Sequence, residues 1–129
     1  EGANAPAAAY LRARSACESL SARALETLAD VDAFLAPTTA SPALPVAEVD
    51  ASSESYQHWN GAYSRNTVVG NLLGLCAVTV PCGFNERGLP IGLMVHAKPR
   101  CEAVALRVAY AYEQATDWHQ RAPGLDWAI

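Results

Sequence analysis

Two apolar runs, Ala77 to Pro81 and Ile91 to His96, stand on either side of Phe84-Asn85-Glu86-Arg87-Gly88. So short a polar interval, carrying an Asn and a Gly that tolerate left-handed backbone, predicts that the chain reverses on itself. Runs of this length, rich in Val and Ile, are expected to pair as a β-hairpin. Whatever else the chain does, it must bring helices or strands to this hairpin.

Upstream, Tyr10, Ala13, Cys17, Leu20, Ala24 and Leu28 recur at three- and four-residue steps between Pro6 and Leu28, with Arg12, Arg14, Glu18, Arg23 and Glu26 on other faces. That spacing predicts an amphipathic helix with a proline at its start. Val31 to Ala36 is a short apolar run closed by Pro37, which suits a buried strand. A helix feeding a core strand implies an α/β layer arrangement. Residues 37–61 hold Pro37, Pro42, Pro45 and several serines with little periodicity, and read as an irregular connection. Connections that long inside a compact domain are usually functional or mobile. Helical spacing resumes near Ser64, with Val68, Leu72 and Leu75 on one face, and stops about Gly74. A last helix is expected over Cys101 to Ala115, with Glu102 near its start complementing the dipole. The expected organisation is one α/β segment over 1–129: helix and strand in 1–36, the connection in 37–61, then helix, hairpin, helix and tail in 62–129.

The chain has 129 residues, 51% of them hydrophobic, which suffices for one core and is short for two. A net charge of -4 with nine scattered Lys and Arg offers no stripe to neutralise phosphates, so direct nucleic-acid binding is not expected. Nor is any apolar run long enough to cross a bilayer, which points to a soluble, cytoplasmic protein. Met94 is the only methionine, so the start at Glu1 is expected to result from processing or fragmentation. Cys17, Cys76, Cys82 and Cys101 show no C-x-x-C spacing and read as buried free thiols, with neither a metal nor any other cofactor expected.

Several separated pieces share one order with a known family. They are Ala9-Tyr10-Leu11, Asp32-Ala33-Phe34-Leu35-Ala36-Pro37-Thr38-Thr39, Asn71-Leu72-Leu73-Gly74-Leu75, Val78-Thr79-Val80-Pro81-Cys82-Gly83, Gly88-Leu89-Pro90-Ile91-Gly92-Leu93 and Tyr112-Glu113-Gln114-Ala115-Thr116 with Trp118-His119. Together they resemble the C-terminal part of the amidase signature family, whose members include allophanate hydrolase and the A subunit of glutamyl-tRNA amidotransferase. The resemblance implies a large mixed sheet with helices on both faces, and cleavage or transfer of amide nitrogen by a serine activated through a second serine and a lysine. Members often carry Gln where Met94 stands here.

That catalytic set has no counterpart in these residues. Ser52-Ser53 is the one adjacent serine pair, without a flanking glycine to shape an exposed turn, and the one lysine, Lys98, sits beside Pro99 and Arg100 as a solvated charge. No catalytic residue is therefore expected here. The resemblance places substrate recognition partly near Thr67 and Asn71 and near the loop after Pro37. Arg65, just before that helix, is placed to pair with a substrate carboxylate or phosphate, or else is a surface arginine. Tyr56, His58, Trp59, Tyr63 and Arg65 form an aromatic and polar cluster that reads either as a pocket wall or as an anchor for the long connection. Cys76, Cys82 and His96 read as core residues rather than zinc ligands. The expectation is thus the scaffold and one pocket wall of an amidase, with the missing N-terminal part as partner and a small amide as substrate. The alternatives are a self-associating, non-catalytic module that forms a homo-oligomer, and a small hydrolase using Ser52 or Ser53.

Overall fold

The computed structural model describes residues 4–124. In chain order the elements are α1 (Ala7–Thr27), β1 (Ala33–Pro37), α2 (Val46–Val49), α3 (Ser53–Leu73), β2 (Cys76–Phe84), β3 (Pro90–Ala97) and α4 (Glu102–Ala115), followed by a 3-10 turn over Trp118–Gln120. The last five residues of the expected tail lie outside the described residues.

The expected hairpin is β2 and β3. Asn85 closes it: its Oδ1 accepts from the N–H groups of Arg87 at 3.0 Å and Leu89 at 2.9 Å, while Gly88 takes φ 73°, the left-handed conformation a side chain would resist. β1 joins the far side of β3, giving a three-stranded antiparallel sheet in the order β1-β3-β2. β1 and β2 therefore run parallel to each other, joined through α3, with β3 inserted between them. This is a split β-α-β unit. Cys82 is an extra residue between the Pro81–Gly92 and Gly83–Ile91 pairs, a bulge on an edge strand that tolerates Pro81 beside it.

Because side chains alternate along a strand, β3 serves two different faces. Leu93 and Val95 turn to α4, where Val80, Val95 and Ala109 form the buried cluster with Ala33, Val78, Val108 and Tyr112 around it. Ala105 and Ala109 are the buried residues of α4, and their small size lets the helix lie close on the sheet. Met94 and His96 occupy the opposite face, where Phe34 of β1 stacks on the His96 ring with centroids 4.6 Å apart. Gly70 of α3 covers that ring so closely that a Cβ there would lie 3.1 Å from its Cε1 atom. α1 packs outside α3, and Ser21 Oγ donates to the Leu73 carbonyl at 3.0 Å.

Two expectations need correction. The irregular connection does not reach Gly61: it contains the one-turn α2, and α3 begins at Ser53. Ser52 is the reason, since its side chain accepts from the Ser55 N–H at 3.0 Å and starts the helix as an N-cap. The far end is as expected, with Gly74 at φ 68° as a left-handed C-cap. The four cysteines are free but half-buried rather than enclosed in the core.

Candidate functional site

At Thr38 the chain leaves the sheet, though its N–H still donates to the Gly92 carbonyl at 2.9 Å. Thr79 approaches the same glycine from β2, so the two threonines meet across β3, with Thr38 Oγ1 donating to Thr79 Oγ1 at 3.2 Å. Only a residue without a side chain permits this. A Cβ on Gly92 would fall 2.7 Å from Thr38 Oγ1 and 2.8 Å from Thr79 Cγ2.

Beyond Thr38 the segment to Pro45 has no sheet to pair with, and α3 holds it instead. Tyr63 donates its hydroxyl hydrogen to the Pro42 carbonyl at 3.1 Å and accepts from the Leu44 N–H at 3.0 Å. Three residues on, and so on the same face of the helix, Asn66 Nδ2 donates to the Pro37 carbonyl at 2.8 Å. Ser55 Oγ secures α2 through the Glu48 carbonyl at 2.8 Å. The aromatic cluster is continuous along α3: Tyr63 anchors the connection, Trp59 lies beside it with ring centroids 6.2 Å apart, and His58 meets Trp59 edge to face, centroids 5.0 Å apart.

Between the anchored loop, α2 and the α3 side of the sheet lies an open cavity of about 900 Å³. That is the size range of small-molecule sites. Its walls are mainly apolar, from Pro42, Leu44, Val46, Val49, Tyr56 and Ile91, while Thr38, Thr79 and Tyr63 supply hydroxyls. Among the described residues no lysine, arginine or histidine lines it, and Asp50 is its one acidic side chain.

Arg65, Thr67 and Asn71 all lie on α3, and none of the three lines this cavity. Arg65 is exposed, Thr67 Oγ1 donates back to the Ser64 carbonyl at 2.9 Å, and the Asn71 carbonyl accepts from the Gly74 N–H at 3.4 Å in the helix cap. Sequence reasoning overlooked Thr79, Gly92 and Asp50 as lining residues. The loop after Pro37 was in view, but a threonine and a glycine on separate strands carry no spacing signal that joins them.

Ser52 is committed to the α3 cap and Lys98 Nζ donates to the Ala29 carbonyl at 3.0 Å. The hydroxyls of Ser21, Ser41, Ser55 and Ser64 donate to backbone carbonyls. Burial lowers the His96 pKa below its usual value, and its Nδ1 has no hydrogen-bond partner. Enclosed between Phe34 and Gly70, it does not line the cavity.

Comparison with known proteins gives this arrangement a context. A protein-family model described as Amidase matches residues 1–106. The A subunit of glutamyl-tRNA(Gln) amidotransferase from Thermodesulfovibrio yellowstonii is 43% identical over 94 residues, 72% of this chain and 18% of its own length. The protein of the same name from a Synechococcus species is 39% identical over 116 residues, covering 90% of this chain and 22% of its own. Among solved structures, the A subunit of glutamyl-tRNA(Gln) amidotransferase from Thermotoga maritima superposes with a TM-score of 0.73 at 28% identity, over 84% of this chain and 23% of that one. Native peptide amidase of Stenotrophomonas maltophilia superposes with a TM-score of 0.68 at 31% identity, over 97% of this chain and 24% of that one. The chain therefore spans about a fifth of the length of the curated relatives it matches.

Proposed function

Because this chain belongs to the amidase family, whose model matches residues 1–106, we propose that it is the C-terminal part of an amide-hydrolysing enzyme. In this reading it supplies scaffold and one wall of the substrate pocket, and the nucleophile and its base come from residues outside these 129. The observation that carries the reading is the cavity floored by Thr38, Thr79 and Gly92, a concave, mainly apolar space with a few convergent hydroxyls. Its partner is the remainder of an amidase, and its substrate a small amide. In the same reading Arg65, Thr67 and Asn71, on α3 outside the cavity, bind substrate at the approach to it. A cytoplasmic location belongs to the same proposal; no helix of the described residues is long and apolar enough to cross a membrane.

The test exchanges the corresponding segment of Stenotrophomonas maltophilia peptide amidase for this chain and follows ammonia released from simple primary amides. The chain alone is expected to release none, while the chimera does so with a KM that rises when Thr79→Val or Tyr63→Phe disturbs the floor or the loop. Hydrolysis by the chain alone, or a chimera indifferent to both substitutions, would remove the proposal.

A further inference from the structure

The cavity wall differs from an ordinary protein surface in its charge. Leu44, Val46, Val49 and Ile91 give it an apolar lining, the hydroxyls it offers are neutral, and no cation among the described residues reaches it. Asp50, exposed at the end of α2, is the one acidic side chain there. A carboxylate entering such a space would lose hydration and gain no ion pair, and it would meet a like charge at the rim. An alkyl group would exchange water for apolar contact at no electrostatic cost. At the floor, the Thr38 and Thr79 hydroxyls are close enough to share a hydrogen bond, and each keeps lone pairs free to accept from an amide N–H.

We infer that the cavity selects amides whose acyl group is apolar and uncharged, and that Asp50 turns away those bearing a carboxylate. The inference rests on the cavity being part of the substrate pocket. It names a substrate class that Arg65, read alone as a carboxylate partner, would not suggest: Arg65 does not line this space.

Two probes of equal chain length separate the classes: hexanamide, which ends in a methyl, and adipic acid monoamide, which ends in a carboxylate. Each is titrated into the full 15N-labelled chain at low salt, where surface charge is least screened. Hexanamide is expected to shift the amide resonances of Thr38, Thr79, Ile91 and Gly92, and adipic acid monoamide to bind about tenfold more weakly at the same residues. Asp50→Asn should narrow that gap, Asp50→Lys should close or invert it, and added salt should narrow it in the unsubstituted chain. Asp50 is exposed, so neither substitution threatens the core. Gly92→Val, which fills the floor, should abolish the shifts of both probes.

Equal binding of the two probes, unaltered by either Asp50 substitution, overturns the selectivity while leaving the cavity as a pocket wall. If neither probe shifts the cavity residues, both the selectivity and the reading beneath it fall.

Discussion

His96 shows how much a single residue's chemistry can be set by its neighbours. It is the polar side chain that the described core buries, at 2% exposure, and its Nδ1 has no partner. Asp32 and Lys98 line the narrow crevice at its edge, but the dominant influence is loss of water, which holds the folded pKa below 6.5. The sign of the pH dependence follows. Above pH 6.5 the ring is neutral in both states and costs nothing; as pH falls below it, the unfolded chain takes up a proton that the folded chain refuses. Stability should therefore drop by up to about 1.4 kcal/mol per pH unit until the folded pKa is reached. Urea midpoints measured from pH 7.5 down to pH 5 should fall less steeply in His96→Gln than in the parent, and parallel curves would refute the assignment. Gly92 makes a second case at this scale. A methyl placed 2.7 Å from Thr38 Oγ1 must displace a strand neighbour, so Gly92→Ala should cost about 1–3 kcal/mol. That is seen as a lower denaturation midpoint at an unchanged m-value.

Among the elements, α3 is where sequence and structure differ most. Its C-terminal half was legible: Val68 and Leu72 keep helical spacing, and Gly74 ends it as expected, with Leu75 just beyond. Its first eleven residues were not, because Gln57, His58, Asn60 and Gly61 interrupt the apolar pattern. The signal was present in another form, in Ser52 as a cap and in Tyr56, Trp59 and Tyr63 at three- and four-residue steps. Strands and hairpin were readable because alternation and turn chemistry are local, whereas the cavity was not, because Thr38, Thr79 and Gly92 meet only through strand order. Two substitutions test this account of α3. Ser52→Ala removes the cap and should cost about 1 kcal/mol. In contrast, Gly61→Ala, where a Cβ meets nothing within 4 Å, should stabilise by about 0.5–1 kcal/mol. Thermal unfolding of both variants beside the parent gives the two signs, and a gain from Ser52→Ala would mean the helix does not start there.

The whole molecule is built unevenly about its sheet. The α4 face is closed by Val80, Val95 and Ala109, while the opposite face depends on α3 lying over His96 and on α1 lying over α3. No residue of α1 is buried, and a cleft of about 280 Å³ lined by Cys17, Leu20, Ala24, Val69, Leu72 and Leu73 opens between it and α3. Leu20 and Leu72 remain 55% exposed, apolar surface of the kind that a larger protein covers. A helix with so few buried contacts opens without unfolding the rest, so local stability should fall from β3 outward to α1. Hydrogen exchange on the chain alone should thus find β3 and α4 amides protected at least about a hundredfold more than those of α1, equivalent to an opening free energy lower by about 3 kcal/mol. Supplying the rest of an amidase should raise α1 protection toward that of the sheet. Equal protection of α1 and β3 in the isolated chain would mean that α1 is held by more than these contacts, and that self-association through the Leu20 and Leu72 face already covers it. Sedimentation at several concentrations would then reveal that association as a mass above 13.7 kDa.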